Sequence, residues 1–243
     1  MTAVATGAGR TAGGIDWQVN YQHDADARLR SHSTLTLWRS LRPFIPVGST
    51  MLEIGCGSGR LIALAARDCD VRGIGSDVTA EAMRYARGMA RAVGSRPHFV
   101  QADALTLPFA DGRFDCVLSE GVVNHFGPAI DAVAREHARV CRRGGRVIIT
   151  TPNLLHLLHT YHKIRMGKRF FAYPDRSFSR PGLGRLARRA GLLPIAHTGF
   201  APAAPFEWFL PWHPTALRPL DTWFGHTWLS WIGYQTVVIA EKV

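Results

Sequence analysis

The chain lacks the features that would assign it to several common protein classes. No apolar run reaches the roughly 18–20 residues that a membrane-spanning helix needs. The N-terminal stretch MTAVATGAGRTAGG has neither the basic nor the apolar region of a signal peptide. The four cysteines, Cys56, Cys69, Cys116 and Cys141, form no CxxC pair and show no disulfide-framework spacing. We therefore expect a globular protein of a reducing compartment, the cytoplasm.

Acidic residues are scarce: 18 Asp and Glu stand against 29 Lys and Arg, for a formal net charge of +11. Between Leu154 and Gly191, nine basic residues accompany a single acid, Asp175. Such a segment attracts nucleic acid, an anionic membrane surface or an acidic substrate. It is equally typical of a solvated, arginine-rich face.

Strand and helix patterns alternate along most of the chain. TMLEI, VRGIGS, HFVQA, FDCVLS and GRVIITT predict strands, and GRLIALAARD, AEAMRYARGMARAVG and AIDAVAREHARVCR predict the helices between them. LLPIAHTG and YQTVVIAEK add two later strands. This order predicts an α/β fold, a Rossmann-like, seven-stranded and mostly parallel sheet with helices on both faces. A ligand of such a sheet binds beyond the carboxyl ends of the strands.

The pattern also predicts how the chain is divided. We expect a disordered N-terminus over residues 1–14, a helical lid over 15–44 and a ligand-binding core over 45–153. An insertion or cap follows over 154–178, and the C-terminal part of the fold covers 179–243, with a Trp-rich insertion at 200–233 that holds five of the seven tryptophans. A structural cap, an aromatic acceptor pocket and a membrane-docking surface are the open interpretations of that insertion.

The stretch MLEIGCGSGR places Gly55, Gly57 and Gly59 directly after the first strand. A dinucleotide fingerprint needs a small residue where Arg60 stands, and a phosphate-binding P-loop needs a Lys–Ser/Thr pair that does not follow. Glu53, close before the first glycine, suits a cationic or hydroxyl-bearing ligand better than a pyrophosphate. The loop therefore predicts a ligand other than a dinucleotide.

LEIGCGSG closely resembles motif I of the class I S-adenosylmethionine (SAM)-dependent methyltransferases, and FDCVLSEGVVNHF and ARVCRRGGRVIITTPN resemble that family's fourth- and fifth-strand motifs. The resemblance implies SAM as the cofactor. It implies that Asp77 binds the ribose hydroxyls and that Asp103 receives the adenine amino group. The other cofactor-binding residues that it implies are Glu53, Gly55, Gly57, Gly59, Val78, Ala104, Ser119 and Glu120.

His125, just past the carboxyl end of the fourth strand, is the candidate catalytic residue, a general base that removes a proton from the acceptor. A structural histidine that caps the following helix is the alternative. SEGVVNHFG also resembles the cyclopropane-fatty-acid synthase group, but Asn124 stands where that group usually has an acid, which argues against cyclopropanation. The candidate substrate-binding residues are Tyr21, His125, Tyr161 and Trp208.

His156, His159 and His162 recur at every third residue and would follow one stripe of a helix. No nearby cysteine or acid completes a ligand set before Asp175, so we expect no metal site.

The resemblance implies transfer of a methyl group, by in-line displacement, to a small-molecule acceptor that is natural-product-like, quinone-like or lipid-like. An RNA methyltransferase and a SAM-binding, non-catalytic accessory subunit are the alternatives. SEGV stands where base-amino methylases of this fold usually carry (N/D)PP(Y/F), which argues against nucleic acid. A membrane surface stays open as a partner, and nothing in the sequence indicates an oligomeric state.

Overall fold

The computed structural model describes residues 32–166, 176–200 and 231–243. Tyr21 and Trp208 lie outside these ranges, as do the predicted disordered N-terminus and most of the predicted lid and of the Trp-rich insertion. The predicted domain boundaries therefore stay predictions. Within the described ranges, no helix is long and apolar enough to cross a membrane.

Seven strands and six helices follow one another in these ranges. The strands are β1 Thr50–Ile54, β2 Arg72–Asp77, β3 His98–Gln101, β4 Phe114–Glu120, β5 Cys141–Pro152, β6 Leu192–Phe200 and β7 Gln235–Lys242. The helices are α1 His32–Leu41, α2 Arg60–Asp68, α3 Ala80–Val93, α4 Ile130–Val140, α5 Leu157–Met166 and α6 Arg180–Arg189, with short 3-10 turns at Arg42–Phe44, Val123–His125 and Gly127–Ala129.

The strands form one sheet in the order β3-β2-β1-β4-β5-β7-β6. All pairings among β1 to β5 are parallel, whereas β7 runs antiparallel to both β5 and β6. The prediction of a Rossmann-like, seven-stranded and mostly parallel sheet is confirmed. The carboxyl ends of β1 to β5 consequently lie along one edge of the sheet.

Both faces are buried in the centre of the sheet, where β1 and β4 are mostly apolar, whereas the outer strands β3 and β6 have exposed residues. Along β4, Val117 belongs to a core that includes residues of α4 and α6. Its neighbours Cys116 and Leu118 belong to a second core, with residues of α1 and α2. Alternate side chains of a strand point to opposite faces, so one apolar run supplies both layers. Cys116 is a buried free thiol.

The structure corrects the predicted boundary between α4 and β5. The sequence pattern extends the helix to Arg142, but the helix ends at Val140 and Cys141 already belongs to β5. The buried Cys141 pairs with Phe114 in the sheet, and the Arg142 guanidinium binds Asp115 at 2.5 Å. Strand pairing and this ion pair outweigh the local helical pattern.

Candidate cofactor and active site

The glycine loop joins β1 to α2 through three left-handed glycines. The φ angles of Gly55, Gly57 and Gly59 are 64°, 52° and 71°, a region that disfavours residues with a Cβ. A Cβ at Gly55 would come within 2.4 Å of Val122 Cγ2, and one at Gly59 within 2.7 Å of Ala86 Cβ. The glycine loop is therefore packed tightly between α3 and the loop that follows β4. Its backbone amides lie at the carboxyl edge of the sheet.

Asp77 ends β2 and is buried beside this loop. One carboxylate oxygen accepts the Gly57 backbone N–H at 2.9 Å, and the other accepts the Thr79 N–H at 3.0 Å and the Thr79 hydroxyl at 3.1 Å. Thr79 in turn caps the N-terminus of α3 by accepting the Ala82 N–H. The structure thus gives Asp77 a role that the sequence did not predict: it braces the glycine loop.

Glu53 is buried in β1 and bonded to the start of α2. Its Oε2 accepts the Ile62 backbone N–H at 2.9 Å, one of the amides that the first turn of a helix leaves free. The pKa of Glu53 is raised to about 8, chiefly by burial; nearby Glu120 and Asp77 add to the rise, while Arg60 and the Ile62 N–H oppose it. An added cation at this place would favour the ionised carboxylate.

Arg60 and Glu120 form an ion pair at the carboxyl edge of the sheet. Arg60 is the first residue of α2 and Glu120 the last of β4, so the pair links the two elements that flank the glycine loop. The buried Nε of Arg60 has no hydrogen-bond partner among the residues that the structure describes. The sequence identified Arg60 only as a misfit to a dinucleotide motif and did not predict this pairing.

Asp103 follows β3 at the same edge. Its Oδ1 accepts the Leu105 N–H at 2.9 Å, and its carbonyl accepts the Thr106 N–H at 3.1 Å, which closes a turn. The neighbouring Ala104 is buried. Val78, after β2, offers its carbonyl to the Gln101 amide at 2.8 Å. The two acids predicted to hold ribose and adenine thus lie at the carboxyl ends of adjacent strands, Asp77 as the last residue of β2 and Asp103 just after β3.

The turn after Asp103 is held by an ion pair on α4 that the sequence did not predict. Glu136 accepts the Leu107 N–H at 2.8 Å, and Arg139 donates to the carbonyls of Leu107 and Phe109 at 3.1 and 2.7 Å. Arg139 also binds Glu136 itself at 2.7 Å. The spacing of three residues between Glu136 and Arg139 on one helix is a sequence signal for this ion pair. It does not indicate which loop the pair binds.

Ser119 and His125 mark the end of β4. Ser119 is fully buried, and its hydroxyl has no hydrogen-bond partner within the described ranges. His125 closes a 3-10 turn that begins one residue after Val122, the residue packed on Gly55. The N-cap of α4 is Ala129, which makes no side-chain capping bond.

Asn124 bonds the imidazole of His125. The Asn124 Nδ2 lies 3.0 Å from the His125 Nε2. When the amide donates this bond, the ring proton lies on Nδ1 and Nε2 is the basic nitrogen. In that tautomer the Asn124 amide occupies the basic nitrogen of the imidazole.

His156 lies just before α5, and His159 and His162 lie on this helix. His156 and His159 are buried, and their rings meet the Tyr234 ring edge-on at centroid distances of 5.8 and 5.3 Å. The His156 Nδ1 accepts the His159 N–H at 3.1 Å. The side chain of His162 is outside the described part of the chain. Tyr161 is 54% exposed on the same helix, and its assignment to substrate binding stays a prediction. Among the described residues, no group of three or more His, Cys, Asp or Glu is arranged to hold a metal ion.

The groups at the carboxyl edge fit SAM chemically. Glu53 and Asp77 are buried acids beside a helix start, which suits a cationic ammonium or sulfonium. The unpartnered Nε–H of Arg60, at the N-terminus of α2, suits a carboxylate. A ligand with both charges in its amino-acid part would satisfy both sets of groups, whereas a pyrophosphate would lie against the acids.

Comparison with known proteins gives the same assignment. The family model described as "Methyltransferase domain" matches residues 52–149. An uncharacterized protein of Mycobacterium tuberculosis is 40% identical over 101 residues, which cover 41% of this chain and 36% of that protein. The ajmaline N-methyltransferase of Rauvolfia serpentina is 36% identical over 101 residues, 41% of this chain and 34% of that enzyme. The chain therefore spans little more than a third of the length of these curated relatives.

Similarity in three dimensions extends over most of the chain. The geranyl diphosphate C-methyltransferase of Streptomyces coelicolor, solved with Mg²⁺, geranyl diphosphate and S-adenosyl-L-homocysteine, superposes with a TM-score of 0.64 at 17% identity. The superposition covers 91% of this chain and 85% of that one. At such identity the match establishes the fold, and the family model establishes the domain. Residues 52–149 of the chain thus match a methyltransferase domain, and the fold is the one that S-adenosylmethionine-dependent methyltransferases have.

Proposed function

We propose that this protein transfers a methyl group from SAM to a small-molecule acceptor that is natural-product-like, quinone-like or lipid-like. The observation that carries the proposal is the set of acids at the carboxyl edge, Glu53, Asp77 and Asp103, placed around a glycine loop on a methyltransferase fold. The acceptors named for ajmaline N-methyltransferase and geranyl diphosphate C-methyltransferase are small molecules, which supports the same class here.

The cofactor would be held by residues already described. Asp77 would accept the ribose hydroxyls, the turn at Asp103 would receive the adenine, and the amides of the glycine loop with Glu53 and Arg60 would hold the amino-acid part. SAM supplies a methyl group that its sulfonium already activates. The protein's remaining tasks are to align the acceptor, to exclude water and to take up a proton.

His125 is the residue that we propose for the proton. A hydroxyl or ammonium acceptor would displace the Asn124 amide from the His125 Nε2 and pass its proton to that nitrogen. Asn124 is buried, and its backbone carbonyl accepts the Arg176 N–H at 3.0 Å. This hydrogen bond holds the turn that carries the imidazole in place. The transferred methyl group and the leaving proton then end on different atoms, and no metal is needed.

We also propose that the protein is cytoplasmic. All four cysteines are buried thiols without a disulfide, which is typical of reducing compartments.

The test is incubation of the full chain with methyl-labelled SAM and separate RNA, lipid and small-metabolite extracts. We expect label in the lipid or small-metabolite fraction. Label in RNA would overturn the acceptor class, and label in no fraction, with SAM still bound, would indicate a non-catalytic accessory subunit.

A further inference from the structure

Helix α5 presents an apolar face to solvent. Leu157, Tyr161 and Ile164, at spacings of four and three, are 83%, 54% and 77% exposed, and residues so spaced share one side of a helix. Leu154 and Leu155 in the preceding turn are exposed as well. His159, on the opposite side, is buried against Tyr234. We call Leu154, Leu155, Leu157, Tyr161 and Ile164 the α5 surface. Contiguous exposed apolar residues of this kind mark interaction sites.

The α5 surface lies at the edge of the sheet that carries the candidate active site. Helix α5 follows the carboxyl end of β5, the strand whose Thr150 pairs with Glu120. Lys163 on α5 donates to the Ser177 hydroxyl at 3.2 Å, and the adjacent Arg176 bonds the Asn124 carbonyl beside His125. The helix is therefore linked through one short segment to the candidate base.

Exposed basic residues accompany the α5 surface. Arg165 is exposed next to the apolar stripe, and Arg176 is exposed on the neighbouring segment. Asp175 is the one acid of the sequence between Leu154 and Gly191, against nine basic residues. Apolar side chains flanked by arginine and lysine favour the interface of a bilayer that contains anionic lipids. An uncharged or cationic partner would leave this charge unmatched.

We propose that the α5 surface binds an anionic phospholipid bilayer and that this docking presents the carboxyl edge of the sheet to an amphiphilic acceptor dissolved in it. The second half of the statement rests on the proposed methyl transfer; the first half does not. The apolar side chains would enter the acyl boundary, while Arg165 and Arg176 would meet lipid phosphates. The acceptor class would then be the lipid-like or quinone-like one, whose members partition into membranes.

The test uses the full chain and co-sedimentation with vesicles of phosphatidylcholine alone or of phosphatidylcholine with phosphatidylglycerol. The double variant Leu157→Glu/Ile164→Glu places two acids on the α5 surface. A matched control, Val47→Glu/Leu193→Glu, changes two comparably exposed apolar residues, one in the turn before β1 and one in β6. A third variant, Arg165→Gln/Arg176→Gln, removes charge alone.

We expect wild type and the control to bind the anionic vesicles, and the Leu157→Glu/Ile164→Glu variant to bind at least ~10-fold more weakly. The Arg165→Gln/Arg176→Gln variant should lose its preference for anionic over neutral vesicles. The proposal is overturned if wild type ignores anionic vesicles, or if the α5 and control variants bind equally. It is also overturned if light scattering shows a dimer that only the α5 variant dissociates, since the surface would then contact a second copy. None of these readouts needs SAM or turnover, so a failed methyltransferase assay leaves them interpretable.

Discussion

The cofactor side and the α5 side of the carboxyl edge are built in different ways. On the cofactor side, buried acids bind backbone amides: Asp77 holds Gly57 and Thr79, and Glu53 holds Ile62. On the α5 side, buried histidines pack on an aromatic ring, and leucine and isoleucine side chains face solvent. Directional hydrogen bonds fix the first region before any ligand arrives, whereas the second offers apolar area that a partner or substrate can cover. The cofactor side is therefore a rigid site, and the α5 side is an exposed apolar surface that we propose as a docking surface.

The strongest way to break the donor site is Asp77→Ala. The substitution removes the proposed acceptor of two ribose hydroxyls and releases the amides of Gly57 and Thr79. With charge-assisted hydrogen bonds worth about 1.5–3 kcal/mol each, we expect SAM affinity measured by calorimetry to fall ~1000-fold or more.

The control for this variant is Asp115→Asn. Asp115 is a carboxylate with a similar number of bonds at the opposite, amino edge of the sheet, where it accepts the Thr50 N–H and hydroxyl and binds Arg142. Those hydrogen bonds from Thr50, followed by the one from Arg142, hold the pKa of Asp115 well below its usual range. The control should lower the melting temperature and leave SAM affinity unchanged. Equal losses of affinity in both variants would contradict a specific role for Asp77.

A second substitution tests whether His125, which we place between the two regions, is the general base. His125→Ala removes the proposed base but none of the hydrogen bonds of the glycine loop. We expect turnover with the true acceptor to fall at least ~100-fold, with SAM affinity unchanged. His98→Ala, an exposed histidine at the amino end of β3, is the matched control and should turn over normally. Retained turnover in His125→Ala would reassign this histidine to structure.

The contrast between the regions also explains what could be predicted from sequence. TMLEI matches β1 from end to end, and VRGIGS matches β2 to within one residue, because each is a short, largely buried segment with turn residues close to its end. The predicted positions of Asp77 and Asp103 at the carboxyl ends of adjacent strands are confirmed for the same reason. A strand, a tight turn and an acid are local features, so a local pattern predicts them.

Contacts between distant residues were not predictable in this way. The Arg60–Glu120 pair joins residues 60 positions apart, and the bond from Glu136 to the Leu107 amide spans 29. The sequence predicted His156 and His159 on one helical stripe, but His156 precedes α5, and the sequence did not predict that both rings meet Tyr234. Tertiary packing decides such partners, and a single sequence carries no signal for it.

The buried carboxyl group of Glu53 should make the stability of the protein depend on pH. The pKa of Glu53 is about 8 in the folded protein, above its ordinary 4.5, chiefly because burial disfavours the charged form. Between these values the folded protein holds a proton that the unfolded chain has lost, so the stability that Glu53 contributes falls as pH rises. The free energy of unfolding should fall by up to ~1.4 kcal/mol per pH unit in this window and level off above pH 8.

Glu53→Gln provides the comparison for this pH dependence. The amide cannot ionise and still offers an oxygen to the Ile62 N–H, so its urea-unfolding curves should lack the decline between about pH 5 and pH 8. Equal slopes in wild type and variant would mean that Glu53 is ionised throughout the range. The plots of unfolding free energy against pH for wild type and variant could also cross near neutral pH. A crossing would mean that glutamic acid stabilises the fold more than glutamine does only while it is protonated.

We expect the smallest effect on SAM affinity from Arg139, which holds the loop after Asp103 from α4 without being assigned to the cofactor. Arg139→Met removes the bonds from α4 to the Leu107 and Phe109 carbonyls and frees Glu136, but it leaves Asp103 and its own turn intact. We expect SAM affinity to weaken only about threefold, because the loop loses order and not contacts to the cofactor. Amide hydrogen exchange at Leu107 should accelerate while exchange in β1 does not, and the excess should disappear when SAM is bound. If affinity is unchanged while exchange at Leu107 accelerates, the turn at Asp103 is fixed by its own hydrogen bonds, and the donor site is rigid without help from α4.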